Sequence, residues 1–529
     1  MQPADESSGR VPEGVVASPA VLAMFELYGP AYVWFAVCTS LLGAFATLLT
    51  GTIINVAIPE VMGAFGIGQD QAQWLSTGFL AAGAITMLLT AWSLTAFGMR
   101  NVYVFSMLIF LAGSVVGGTA MSPEVLIFSR VVQGAASGLL GSMAMVITYQ
   151  IFPVNRRGLA MGIFGVGQVL APALGPALGG FLIDSYSWRY VFFLAVPFAI
   201  ISIPLALLFM PKRETGGTVP PFDWPGIILS SLCLVSFLEA LSNGQREGWQ
   251  SEYIVGLFAI AFFCLVIFLW WQFHAKHPML DLKVFTYKQF SAAAVVSVVV
   301  GVGLYGSTFL IPLFLQTLQG ISPTESGLLM VPAGLAMAAI FPIGGALSDR
   351  IQPRIVIAAG LILFAISSWL MRYVDVNTPY LQMVHWAIIG RVGLALIFPS
   401  LNAASLTALP LSLLSQGSGI VSFLRQLGGA IGVNALSIYL TQRTAEHAQA
   451  ITATQVSAPA TLELLQNLQD MIFGQRLGYL LQSDMTYGYL AGTIYQVSLS
   501  LAFREGFIII AIIMLVSLIP TWFLKLDRD

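Results

Sequence analysis

The chain has 529 residues, 57% hydrophobic and 9% charged, with a formal net charge of −2. Soluble domains carry about 25% charged residues, so this composition cannot cover itself with a polar surface, and a polytopic membrane protein is the class that remains. The small net charge gives nucleic acid no footing. Cys38, Cys233 and Cys264 fall inside apolar runs without metal-ligand or disulfide spacing.

Residues 1–30 read as a cytoplasmic tail. Asp5, Glu6, Arg10 and Glu13 stand where a secretory leader would place a basic segment before an apolar core. A bilayer crossing needs about 20 apolar residues. Six such spans follow, near 32–58, 73–97, 101–121, 125–150, 158–183 and 189–210. After a polar break at 211–223 come two more, near 224–242 and 253–273. A second break, 274–289, leads into 290–316, 325–348, 354–374, 382–409, 416–441 and 503–524. The expected fold is all-α with fourteen transmembrane helices: a six-helix bundle over 31–210, an accessory pair with its loops over 211–289, and a second six-helix bundle over 290–529. Arg100, Arg156, Arg157, Lys212, Arg213 and Lys276 share the side of the tail, which puts both termini in the cytoplasm by the positive-inside rule. The long outer segment 442–502 contains an expected amphipathic helix over 461–481, with Leu464, Leu465, Leu468, Met471 and Ile472 at helical spacing. It suits either an interfacial cap or a docking surface for a partner.

The fifth span is unusual. Within 165–184 it carries Gly167, Pro172, Gly175, Pro176, Gly179 and Gly180. In lipid a spanning segment stays helical despite such residues, because an unpaired backbone group there is costly. Glycines at spacing four leave a bare face that another helix can approach closely. We expect this face to serve as hinge and seal.

Ionisable residues at bilayer depth are expensive, about 2.5–3.5 kcal/mol on insertion scales, and are functional candidates for that reason. Arg130, Arg391, Arg425 and Glu239 lie well inside expected spans, with Gln133 one turn from Arg130. Asp184 and His385 lie near span ends, and Glu60 and Asp70 near the outer mouth. Three cations against one peripheral acid predict a positive central cavity and a preference for anionic or weakly acidic amphiphiles. A channel would need a filter run, and an intramembrane enzyme a cluster of His, Asp and Glu; neither pattern occurs in the sequence.

Several strings resemble one family. GQVLAPALGPALGG (167–180) is similar to the antiporter motif of drug:proton antiporters in the major facilitator superfamily. TGTIINVAIPEV (50–61), SRVVQGAASG (129–138), SWRYVFFLAVPFAI (187–200) and SFLRQLGGAIG (422–432) resemble the EmrB/QacA branch with fourteen spans, and the lengthened outer segment is closer to EmrB. The resemblance implies two six-helix repeats with substrate bound between them. GGALSDRIQPR (344–354) resembles the superfamily's cytoplasmic motif, which implies a latch of Asp349, Arg350 and Arg354; its first-half counterpart, AWSLTAFGMR (91–100), keeps only Gly98 and Arg100. Thr50 replaces the family's usual first-helix acid, and Ser242 and Gly248 replace acids of the accessory pair. The implied function is secondary multidrug export by alternating access, with no bound cofactor and the proton motive force as the expected drive. The alternatives are transport without proton coupling and a transport-dead sensor or scaffold. Relatives in double-membrane bacteria imply a periplasmic membrane-fusion adaptor and an outer-membrane channel as partners, with segment 442–502 as the contact.

Overall fold

The computed structural model describes residues 11–213, 219–455, 463 and 479–525. The expected amphipathic helix over 461–481 lies almost wholly outside the described residues, as do the side chains of Asp70, Pro176 and Asp184.

The chain is helical throughout its described length. The first part comprises α1 (Pro19–Tyr28), α2 (Tyr32–Phe65), α3 (Gln69–Leu88), α4 (Thr90–Gly118), α5 (Pro123–Ile151), α6 (Arg157–Ser185), α7 (Tyr190–Phe193) and α8 (Val196–Phe209). Helices α9 (Trp224–Glu247) and α10 (Glu252–His274) form the accessory pair. The last part comprises α11 (Lys288–Leu318), α12 (Pro323–Arg350), α13 (Pro353–Leu370), α14 (Tyr380–Thr407), α15 (Leu414–Gln455), α16 (Tyr479–Val516) and α17 (Leu518–Thr521). Eleven helices among the described residues are long and apolar enough to cross a membrane. Helices α3, α6 and α15 occupy the other three expected places.

Local chemistry sets several boundaries. Ser122 accepts from Val125 N ahead of Pro123, and Ser322 with Glu325 forms a capping box at α12. Both satisfy amide groups that a helix start leaves unpaired. Gly98 has φ 76° and breaks α4 internally. A Cβ there would also run into the Arg213 backbone, so only glycine fits this turn. The break agrees with the expected boundary between the second and third spans.

Two large apolar cores result, with smaller clusters beside them. One includes Phe110, Met143 and Phe164 of the first half; the other includes Phe314, Phe341 and Phe503 of the second. In the accessory pair only 22% and 17% of the apolar windows are buried, against 67% for α5, so this pair is peripheral and presents Phe262, Phe263 and Val266 outward. It still touches both halves: Leu234 and Leu238 of α9 pack with Ala81 and Ala84 of α3 and with Phe423 and Leu427 of α15.

Two expectations need revision. Residues 19–28, expected as tail, form α1, whose Val21, Met24 and Phe25 are buried in the first core. The lead-in chain is laced to the α5–α6 connection by Val154 N to Gly14 O at 3.0 Å and Arg157 Nη2 to Val16 O at 3.2 Å. We call this the tail end of the bundle. Segment 442–502, expected as a long outer loop, is helical over 442–455 and again from 479 onward, within α15 and α16. At 42 and 38 residues these helices exceed the ~20 needed for a crossing, because polar residues carry them on beyond the apolar stretch.

Candidate functional site

Arg130 lies in α5 and is 0% exposed. Its Nε donates to Leu75 O at 2.9 Å and its Nη1 to Gln133 Oε1 at 2.7 Å; Gln133 Nε2 then donates to Ser114 Oγ at 2.9 Å. The guanidinium stacks on Phe79, 4.3 Å from the ring centroid. Gly134 permits this geometry, since a Cβ there would collide with the Phe79 carbonyl. The Nη2 atom is buried without a partner, a costly state for a charged donor. Arg130 and Gln133 are therefore bonded to each other, and Ser114 completes the chain. Nothing in the sequence singled out Ser114, because a serine in an apolar span carries no pattern of its own.

The other two arginines sit in the second half. Arg391 is 7% exposed and donates Nη2 to Thr308 Oγ1 of α11 at 2.8 Å. Arg425 is partly exposed; its Nη1 reaches Asn402 Oδ1 at 3.3 Å and its guanidinium lies 5.1 Å from the Phe398 centroid. Next to it, Gln426 Nε2 donates to Leu80 O of α3 at 2.7 Å, so this turn of α15 touches the opposite half. None of the three arginines makes an ion pair with a carboxylate among the described residues.

Glu239 is not brought to them. It remains in the accessory pair, where Asn243 Nδ2 donates to its Oε1 at 2.7 Å and the Tyr253 hydroxyl at 3.3 Å. Glu60 and His385 are exposed near helix ends. Thr50, 2% exposed, uses its hydroxyl on Ala46 O of its own helix at 3.0 Å.

One further acid ties α15 to α16. Glu505, at the edge of the expected span 503–524, lies within the helical segment Gly488–Thr521, level with the part of α15 that runs on past the expected span 416–441. Arg443 of α15 binds it with Nε at 2.7 Å and Nη2 at 2.8 Å, and Tyr439 and His447 also reach it, at 2.9 and 3.1 Å. Its sequence signal is an acid in the largely apolar run SLAFREGF. The pair is self-neutralising and leaves the surplus of buried cations unchanged.

At the tail end the two halves are joined directly. Asp349, near the end of α12, accepts from Gly158 N at 2.6 Å and Leu159 N at 2.9 Å. A carboxylate at a helix start satisfies orphan amides and meets the positive end of the helix dipole. Gly158 and Gly345 face each other so closely that a Cβ on either would strike the other's carbonyl. Tyr149 and Thr407 hydroxyls meet across the same end at 2.8 Å. Arg350 closes α12, and Arg354 stacks on Trp522 at 4.8 Å. In the first half, Arg100 instead donates Nε to Met210 O at 2.9 Å.

The Gly/Pro run divides its work differently from the expectation. Gly165 packs on Phe341 of α12, but Gly167, Gly175 and Gly179 face Leu41, Thr52 and Ile53 of α2, inside their own half. Pro172 is partly exposed. Gly180 has open space, its nearest neighbour being Thr324 Oγ1 at 4.0 Å. The seal between halves is made mainly by Gly158, Gly162 and Gly165, at the start of α6.

A second polar node holds the accessory pair. Asp223 is 9% exposed and accepts from Gly226 N, Trp271 Nε1, Gln272 Nε2 and Met279 N, all between 2.8 and 2.9 Å. Asp281 N reaches Gln416 at 3.3 Å and Trp92 Nε1 reaches Pro220 O at 3.0 Å, which ties the pair's loops to both halves.

Residues 40–433 match the model of the Major Facilitator Superfamily. The uncharacterized MFS-type transporter YhcA of Bacillus subtilis is 32% identical over 456 residues, covering 86% of this chain and 85% of that protein. The multidrug transporter protein MdtP of Bacillus subtilis is 30% identical, covering 76% and 74%. The multidrug export protein EmrB of Haemophilus influenzae is 28% identical, covering 92% and 94%. The crystal structure of the human organic anion transporter MFSD10 (TETRAN) matches with a TM-score of 0.57 at 14% identity, over 93% of this chain and 99% of that one, a likeness of fold. With the tail-end latch, the buried arginine of α5 and these relatives in agreement, the chain is a multi-pass bacterial membrane transporter that belongs to the Major Facilitator Superfamily, in its EmrB-like drug:proton antiporter family.

Proposed function

We propose that this protein exports hydrophobic anionic or weakly acidic amphiphiles, such as fatty acids, acidic phenols or acidic antibiotics, across the cytoplasmic membrane by alternating access. The observation that carries the reading is the pair of second-half arginines, Arg391, which is buried, and Arg425, which is partly exposed, neither with an ion-pair carboxylate among the described residues. A charge held away from bulk water demands a partner, and a transported anion supplies one to Arg391 and Arg425. In the proposed topology fourteen helices cross the bilayer, both termini are cytoplasmic, and the tail-end contacts close the cytoplasmic mouth. Relatives named as a multidrug transporter and a multidrug export protein support a small-molecule substrate.

We further propose that transport draws on the proton motive force. A second reading, facilitated export or exchange without protons, is favoured by Thr50, a buried hydroxyl where the family carries an acid. A periplasmic adaptor with an outer-membrane channel is the proposed partner in a double-membrane host, contacting the far-end extensions of α15 and α16.

The test is proton movement in proteoliposomes during transport of a fluorescent weak acid under imposed pH gradients, with Arg130→Ala as control. Coupled proton flux supports antiport. Acid movement without proton flux removes the antiporter label, and movement of quaternary ammonium compounds alone removes the anionic one.

A further inference from the structure

The three arginines differ in what they leave free. Arg130 is sealed: it is 0% exposed, bonded to Leu75 and Gln133, and covered by Phe79. No ligand reaches it without rearrangement of the first half. Arg425 is partly exposed, and only its Nη1 has a hydrogen-bond partner among the described residues, Asn402 at 3.3 Å. Its Nε and Nη2 are not among the buried, unpartnered atoms, so they remain accessible.

The surroundings of Arg425 have the character of a ligand subsite. Phe398 of α14 lies beside the guanidinium, 5.1 Å from centroid to Cζ. Tyr305 of α11 is 37% exposed in the middle of its helix. Its ring lies across Gly429 of α15, where a Cβ would collide with it, so glycine one turn from Arg425 holds the phenol beside that arginine. Thr308, one turn along the same face of α11, is exposed and bonded to Arg391. Helices α11, α14 and α15 thus converge on one exposed face of α11 with a guanidinium at each level. Gln426, bonded to Leu80 of the opposite half, places this face at the junction of the two halves rather than on the lipid side.

Resting on the anionic-substrate reading above, we propose that Arg425, with Tyr305, Asn402 and Phe398, binds the carboxylate head group of the transported amphiphile, and that Arg391 at Thr308 is a second cationic stop on its path. The free Nε and Nη2 donors and the Tyr305 hydroxyl suit the two oxygens of a carboxylate. Phe398 supplies apolar surface for the start of the tail. Arg130 positions helices in the first half and does not touch the head group.

The experiment uses the full chain in nanodiscs and two probes, dansyl-labelled undecanoic acid and its methyl ester. Arg425→Gln should weaken acid binding about tenfold, the loss expected for one charge-assisted contact, and leave ester binding unchanged. Arg425→Lys should retain most acid affinity, and Arg130→Gln should leave the acid-to-ester ratio as in the parent. Unchanged acid binding in a monodisperse Arg425→Gln protein overturns the assignment, and so does an equal loss for acid and ester, which makes Arg425 a packing residue. A parent protein that binds ester as well as acid fails at the earlier step and sinks the anionic reading together with this one.

Discussion

Asp349 of α12 and Gly158 of α6 are joined across the two halves by a hydrogen bond of 2.6 Å from the Gly158 amide, with the Leu159 amide alongside at 2.9 Å. One carboxylate therefore serves as the cap of a helix that belongs to the other half. Any motion that parts the halves at this end must strip α6 of its cap. Asp349→Ala removes that link. A cap is worth about 1 kcal/mol and the helix dipole up to about 1 more, so closure at the tail end should weaken by about tenfold or more. Spin labels at Asn155 and Ser412, both exposed at that end, should report a longer separation in the variant. An unchanged distance distribution would show that the cap does not hold the halves together.

Gly345 and Gly175 should respond differently to the same substitution. Gly345→Val drives a side chain into the Gly158 carbonyl of the other half, whereas Gly175→Val meets Thr52 within its own half. The first should lower export at least tenfold, with normal membrane insertion and melting temperature. The second should destabilise the first half, at an overpacking cost of about 1–3 kcal/mol, and lower the melting temperature by several degrees. Equal thermal effects from the two would remove the division of the Gly/Pro helix into a seal and a packing face.

Asp223→Ala should loosen the accessory pair. Four donors lose one acceptor; at about 1 kcal/mol net per hydrogen bond, the loss is on the order of 3–4 kcal/mol. The observable is limited proteolysis within 211–223 and 274–289, faster than in the parent while the two bundles stay intact. Parental cleavage rates would mean that lipid and the apolar contacts of α9 hold the pair without Asp223.

Glu505→Gln separates a structural ion pair from a proton carrier. Arg443 binds the carboxylate through two nitrogens, with side chains 33% and 28% exposed. Screening at that exposure keeps the contribution of the pair to stability small. We expect a melting temperature lower by a few degrees and transport close to that of the parent. Loss of proton-linked transport at unchanged stability would instead make Glu505 the group that replaces the missing first-helix acid.

How much of this was legible depended on the kind of signal. Hydropathy placed the helices, and the agreement extends to the break at Gly98, because a glycine and a polar turn interrupt an apolar run visibly. The latch at Asp349 was legible as a motif, but its partners were not: they are backbone amides, which carry no sequence signature. The same holds for Leu75 O under Arg130 and for the donors around Asp223. Segment 442–502 misled because helix continuation past the apolar stretch is written in polar residues that hydropathy reads as loop.

Composition by itself determined that this chain lives in a membrane, since 9% charged residues cannot clothe a soluble protein of this size. The motifs alone pointed to the superfamily and to which arginines to watch. Only the tertiary structure decided that Arg130 is closed off while Arg425 is open, that Glu505 is already neutralised, and that the Gly/Pro helix seals the two halves at its beginning and packs on α2 further along. The reason is physical: a buried charge is defined by its neighbours in space, and those neighbours come from helices far apart in the chain.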